Sequence, residues 1–254
     1  MKRAPARVWP KARQESASDI QGARGGIDLW HADLHHPGWR RLRDLLSAEE
    51  RRRSSAFAFE RDARRFIVSR AVLRSLLSGV TGVPVGELKF RVEPAGKPVL
   101  ETGFGQPIHF SLSRSEELVL IGLAPDPLGV DLEWLHKPVD IGVLADYALS
   151  CREQDSFKQL HACDRRKAFL QCWTVKEAYL KAIGRGLFVP PTMVEVSYFG
   201  ERAGLQSIFG DVRAASHWFV DPIVPREGYI GAVAIRGGPW RTRVRAFDLC
   251  SLIL

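Results

Sequence analysis

Apolar and polar positions change period several times along this chain, and each change marks an element. Ile27-Asp28-Leu29-Trp30-His31-Ala32-Asp33-Leu34 alternates as a half-buried strand does, which predicts a first strand there. Leu118 to Ala124 is a continuous apolar run closed by Pro125-Asp126-Pro127, the pattern of a buried strand and a turn. Leu128 to Glu133 returns as the next strand, and Val194 to Tyr198 and Tyr229 to Ile235 add two more. Elsewhere the period lengthens to that of helices. Leu46-Ser47-Ala48-Glu49-Glu50 and Leu149-Ser150-Cys151-Arg152-Glu153 both fit Leu-Ser-x-x-Glu, in which serine and glutamate satisfy each other's backbone N–H at a helix start. A second helical opening follows each at nearly equal distance, at Asp62 and at Asp164, and the long helices behind them are expected to end at Ser78-Gly79 and at Gly184.

This echo predicts two related halves, residues 27–125 and 126–254, behind an extension over residues 1–26. The extension mixes Ala, Arg, Pro, Ser and Gly and holds too few large apolar groups to offset its ordering entropy. The expected fold class is α+β, built from α/β-type halves that are each a small sheet packed against a long helix.

Bulk properties narrow the setting. A chain of 254 residues with 45% hydrophobic and 26% charged positions can bury a substantial core as a soluble globular protein. No apolar run approaches a membrane span, and no apolar segment follows the basic Met1-Lys2-Arg3-Ala4-Pro5, so neither a membrane segment nor a secretory signal is expected. Cys151, Cys163, Cys172 and Cys250 form no CxxC pair, which points to reduced thiols in the cytoplasm. The net charge of +8 suits a polyanionic partner, whether nucleic acid, an acidic protein surface or a phosphorylated ligand; an arginine-rich composition alone would give the same charge.

Candidate chemistry lies in two stretches. In Gly129-Val130-Asp131-Leu132-Glu133, strand alternation turns Asp131 and Glu133 to one face and Val130 and Leu132 to the other. Two adjacent carboxylates fit either a solvated strand end or a cation site. In Trp173-Thr174-Val175-Lys176-Glu177-Ala178-Tyr179-Leu180-Lys181, the helical face Phe169, Cys172, Lys176, Tyr179, Ile183 puts Lys176 on an apolar stripe, where it must reach water or meet an anion. Glu177 and Lys181 stand four apart and fit either a surface ion pair or a site. Oxygen ligands without a nearby histidine suit magnesium or manganese rather than zinc, and Asp131, Glu133 and Glu177 fit the one to three carboxylates that magnesium takes.

These stretches, with Gly96-Lys97-Pro98 upstream, resemble the motifs of the Sfp-type 4′-phosphopantetheinyl transferases and occur in that family's order over about residues 27 to 235. The resemblance implies two similar subdomains related by a pseudo-twofold axis, with coenzyme A in the crevice between them. It implies Mg2+-dependent transfer of 4′-phosphopantetheine from coenzyme A to a serine of an apo acyl or peptidyl carrier protein, releasing adenosine 3′,5′-bisphosphate. Asp131, Glu133 and Glu177 would then hold the metal. Glu177 and Lys181 would exchange protons with the attacking serine and the leaving group, in roles the motif leaves interchangeable. Arg53, Arg65, Lys97, Ser113, Arg114 and Lys176 would meet the coenzyme. Relatives read Phe-Asn-x-Ser-His-Ser where this chain has Phe110-Ser111-Leu112-Ser113-Arg114-Ser115, so Arg114 replaces a phosphate-touching histidine with a permanently charged, two-donor grip. Glu50 stands where some relatives carry a phosphate-binding lysine, and Arg51 and Arg52 read as a solvated helix face.

The positive charge would speed encounter with an acidic carrier, and Phe188 and Val189 fit either a patch for the carrier or core packing. A monomer is expected, because one chain contains both halves. The competing readings are a catalytically silent relative that binds coenzyme A or carrier, and a basic nucleic-acid-binding protein, for which no recognition motif is present.

Overall fold

The computed structural model describes residues 26–101, 107–197 and 204–253; the expected extension over residues 1–26 lies outside this range except for Gly26, and so does Tyr198. Strands and helices mix along the chain in an α+β fold. Contacts divide it into two compact units, one holding His35–Leu88 with the residues from Phe247 on, the other holding the strand that ends before Leu34 together with Lys89–Ala246. These units are drawn differently from the halves 27–125 and 126–254 that the internal echo suggests.

In the first unit a single turn of 3₁₀ helix, Arg41–Leu45, leads into α1 (Ala48–Ser55) and α2 (Glu60–Thr81). The predicted capping box is present: the Ser47 N–H donates to Glu50 Oε2 at 2.9 Å and the Glu50 N–H to Ser47 Oγ at 3.2 Å. Glu50 then receives Arg70 Nε at 2.6 Å and Arg74 Nε at 2.6 Å, so one buried carboxylate ties α1 to α2. The α2 helix does not end at Gly79 as expected. Its apolar stripe continues through Leu73, Leu77 and Val80, and one interior glycine costs a helix only about 1 kcal/mol. Gly82, at φ 72°, closes it instead.

The second unit carries a four-stranded and a three-stranded sheet. The first is built from β1 (Gly26–Asp33), β4 (His109–Ser115), β5 (Leu118–Ala124) and β11 (Arg241–Ala246) in the order β11-β1-β5-β4. Only β1 and β11 run parallel in it. Before it lies the hairpin β2 (Phe90–Val92) and β3 (Pro98–Leu100). The second sheet sets β6 (Leu128–Trp134), β9 (Trp218–Ile223) and β10 (Tyr229–Arg236) in the order β6-β10-β9, all antiparallel. Three helices follow β6: α3 (Ile141–Ala148), α4 (Cys151–Lys158) and α5 (Ala162–Ala182). A small pair, β7 (Val194–Ser197) and β8 (Gly204–Ile208), and the short α6 (Val212–Ser216) complete the unit.

Alternation along β6 and β10 decides what each face does. Val130, Leu132 and Val233 join Ile27, Leu29, Leu118 and Leu120 in one apolar cluster fed by both sheets. The opposite face carries Ala232 and Ala234 against α5, whose Ala178, Leu180 and Ala182 belong to the same cluster. Asp131 pairs across to Ala232 and therefore faces α5. Gly129 is required by this docking, because a Cβ there would lie 1.9 Å from the Ala178 carbonyl oxygen. Among the described residues no helix is long and apolar enough to cross a membrane.

Candidate active site

The β6 strand pairs with β10 along one edge only, which leaves backbone groups on its other edge to be satisfied. Serines of β4 do this. Ser111 Oγ accepts the Val130 N–H at 3.0 Å, and Ser115 Oγ accepts the Trp134 N–H at 3.0 Å. With its acceptor side used, the Ser115 hydroxyl turns its proton to Glu133 Oε2 at 2.8 Å. Between them Ser113 donates to Asp131 Oδ1 at 2.8 Å. The three serines are two residues apart, so strand alternation aims all of them at the acidic strand. The same alternation sends the exposed Arg114 to the other face of β4, away from the acids.

Lys181 completes the cluster from the last turn of α5. Its ammonium donates to Asp131 Oδ1 at 2.6 Å and to Ser113 Oγ at 3.0 Å. Lys181 therefore bridges the strand rather than pairing along its own helix with Glu177. One turn earlier, Glu177 keeps a buried Oε1 without a hydrogen-bond partner, and Asp131 keeps a buried Oδ2 in the same condition. Burial pushes the Glu177 carboxyl up to about 7; the charge on Asp131 adds to the shift, Lys181 opposes it, and Glu133 adds again. Glu133 also lies above the ordinary range, through burial and Asp131, although Lys137 and Ser115 hold it back. Lys137 Nζ stands 3.2 Å from its Oε2.

Not every expected site residue joins this group. Lys176, expected to meet the coenzyme, is 0% exposed. Its ammonium donates to Glu153 Oε2 at 2.5 Å and to the carbonyls of Ala148 and Pro191 at 2.7 and 3.1 Å, so all three donors are committed inside the protein. Of the two outcomes open to Lys176, water or an anion, the structure gives the anion, the capping glutamate of α4. Lys97, also expected at the coenzyme, donates instead to the carbonyls of Lys181, Leu128 and Ala182. Arg53 and Arg65 belong to the other compact unit, where the Arg53 guanidinium lies 5.3 Å from the centre of the Phe66 ring. Phe188 is 76% exposed, whereas Val189 packs on the α5 core. Ser111, Ser115 and Gly129 were absent from the sequence-derived site. The signal for the serines was available, since they share the period-two spacing of Asp131 and Glu133.

Among the described residues no three carboxylate, imidazole or thiol groups gather closely enough to form a metal cage. The arrangement supplies two unpartnered carboxylate oxygens, a carboxyl that titrates near neutrality and an ammonium within hydrogen-bond reach of one of the acids. That is equipment for moving a proton beside a charged, phosphate-like group.

Comparison with known proteins gives this chemistry a family. A model of the 4'-phosphopantetheinyl transferase superfamily matches residues 127–234, and a model of the 4'-phosphopantetheinyl transferase N-terminal region matches residues 29–125. The 4'-phosphopantetheinyl transferase HetI of Nostoc sp. is 34% identical over 222 residues, which are 85% of this chain and 90% of the relative. The 4'-phosphopantetheinyl transferase ffp of Bacillus subtilis is 29% identical over 59% of this chain and 65% of its own length. Sfp of Bacillus subtilis strain 168 is 25% identical over the same shares. A solved holo-(acyl-carrier-protein) synthase from Bacillus anthracis, in complex with CoA, covers 39% of this chain and 92% of its own at 20% identity and a TM-score of 0.31. With the HetI match covering 85% of the chain and both β6 and α5 inside the superfamily match, this chain belongs to the 4'-phosphopantetheinyl transferase superfamily.

Proposed function

We propose that the chain transfers 4′-phosphopantetheine from coenzyme A to a serine hydroxyl of an apo acyl or peptidyl carrier protein and releases adenosine 3′,5′-bisphosphate. A magnesium ion held by Asp131 and Glu177 belongs to this reading. The observation that carries it is the pair of buried, unpartnered oxygens, Asp131 Oδ2 and Glu177 Oε1. Buried polar atoms are rarely left unsatisfied without a ligand to meet. Two carboxylates suit magnesium, which fills the rest of its shell with water and substrate phosphate. Glu133 is the third expected ligand, and its carboxylate is already engaged by Ser115 and Lys137. When bound, the ion neutralises diphosphate charge.

The residues of the chain do the rest. Glu177, titrating near 7, is poised to take the proton of the carrier serine. Lys181 is oriented by Asp131 and Ser113 and offers its ammonium to the departing bisphosphate. Arg114, exposed on β4, is the cation we assign to a coenzyme phosphate that lies away from the acids. Phe188, exposed beyond α5, offers apolar area to the carrier. All four cysteines are free, which fits a reducing cytoplasm, and we take the active form to be a monomer. Incubation with coenzyme A, magnesium and a panel of apo carrier proteins, read by intact mass, tests the reading. A carrier gaining one phosphopantetheine supports it; an unmodified panel with a folded enzyme overturns it.

A further inference from the structure

Lys97 sits where the sequence motif suggests a coenzyme contact, yet its surroundings are those of a clamp. The β2–β3 hairpin turns through Gly96, at φ 87°, with the Gly96 N–H on the Glu93 carbonyl at 2.8 Å and the Glu93 N–H on the Lys97 carbonyl at 2.9 Å. Pro98 holds the preceding residue extended, so the Gly-Lys-Pro triplet throws the Lys97 side chain out of the turn in one direction. Its ammonium donates to the Lys181 carbonyl at 2.8 Å, the Leu128 carbonyl at 3.2 Å and the Ala182 carbonyl at 3.4 Å. An ammonium has three N–H donors, and these carbonyls use them all.

The acceptors belong to the two elements of the active site. Lys181 and Ala182 close α5, where carbonyls lack intrahelical partners and the helix dipole favours a cation. Leu128 opens β6, three residues before Asp131. We infer that Lys97 is a positioning residue, which fixes the end of the catalytic helix against the start of the acidic strand and leaves coenzyme binding to other cations. The clamp sets the register that Gly129 permits: the strand meets the helix at the Ala178 carbonyl, and Lys97 stops the two from sliding. A slip of about 1 Å would carry the Lys181 ammonium out of hydrogen-bond range of Asp131. Misplacement on that scale can cost about a hundredfold in rate. Burial disfavours the charge on Lys97, with Glu93 opposing that effect.

The inference rests on the transfer activity, and its test separates the two. Lys97→Met and Lys97→Arg are compared with the wild-type full chain for kcat, for coenzyme A Kd by calorimetry, and for amide exchange at Ile183 and Gly184. Lys97→Met is expected to lower kcat at least tenfold, to leave the coenzyme Kd within twofold, and to speed exchange at the helix end. Lys97→Arg, which keeps a cation for the carbonyls, is expected to recover part of the rate. A tenfold rise in Kd with kcat unchanged would make Lys97 a coenzyme ligand and overturn the inference. A lowered Tm with kcat and Kd both unchanged would reduce it to stability alone and overturn it equally. If Lys97→Met does not fold, Lys97→Arg decides: a partial loss of kcat at constant Kd supports the clamp, and weakened coenzyme binding contradicts it. A wild-type protein inactive toward every carrier would count against the transfer reading, while Kd and amide exchange would still judge the clamp.

Discussion

Strand β1 and strand β6 begin alike, Gly26-Ile27-Asp28-Leu29 and Gly129-Val130-Asp131-Leu132, and each aspartate precedes a Leu-Ser-x-x-Glu capping box by the same number of residues. Their carboxylates have different fates. Asp28 gives both oxygens to one guanidinium, Oδ1 to Arg243 Nε at 2.8 Å and Oδ2 to Arg243 Nη2 at 2.9 Å. Asp131 collects both of its donors, Ser113 and Lys181, on Oδ1 and leaves Oδ2 without a partner. The capping glutamates repeat the theme with a shared outcome. Glu50 is held by two arginines of α2, and Glu153 by Lys176 of α5, by the Val196 N–H at 2.7 Å and by the Cys172 thiol at 3.6 Å. Similar sequence thus builds similar struts, and the site we propose lies where one acid of the pair stays unsaturated. An aspartate in this setting is structural when its oxygens are all matched and chemical when one is not.

The comparison can be broken from its struts first. Lys176→Met leaves Glu153 charged and buried, and breaking such a pair from one side typically costs about 3–5 kcal/mol. Arg70→Met leaves Arg74 on Glu50, so the loss should be smaller, about 1.5–3 kcal/mol for one charge-assisted contact. Denaturant unfolding checks both, and equal losses would show that the two glutamates are not held as described. Next come the aspartates. Asp131→Asn should lower transfer more than about a hundredfold, beyond what loss of an outer partner costs a metal site. Asp28→Asn should lower Tm and leave kcat per folded molecule unchanged; a matching collapse of kcat would erase the distinction.

Smaller effects sharpen it. Ser115→Ala removes the donor to Glu133 and the acceptor of the Trp134 N–H, and transfer should fall about tenfold. Ser115→Thr should restore most of it, because the hydroxyl returns; failure of that rescue would mean shape rather than orientation matters. The last effect is on pH. Glu177 has its folded pKa raised from 4.5 to about 7, so the folded state holds a proton that the unfolded chain has released. Its contribution to stability is full below pH 4.5 and is lost as the pH rises through 7. In chelator, Glu177→Gln should therefore show a shallower fall in Tm between pH 4.5 and 7.5 than the wild type. Parallel curves would contradict the shift.

What could be read in advance was local. Period-two alternation placed β1 and β6, and the capping boxes at Ser47 and Ser150 placed two helix starts, because each signal lies within a few neighbouring residues. The apolar stripe of α5 required water or an anion for Lys176 but could not name Glu153, which lies on another helix. Nor could local sequence name the partners of Lys97, which are backbone carbonyls and have no sequence identity. The polar ladder Ser111, Ser113, Ser115 carried the correct period but resembles a loop in composition, so its role against β6 emerged only from the two sheet edges. Gly79 misled because glycine ends a helix where the chain needs a positive φ, and that need falls at Gly82.

The account depends on the unsaturated oxygens of Asp131 and Glu177 forming one transfer site. The most direct test is transfer by Glu177→Gln, assayed by intact mass of an apo carrier with coenzyme A and magnesium in excess. The account expects a folded protein that adds no phosphopantetheine at any magnesium concentration. Turnover within threefold of the wild type would contradict it.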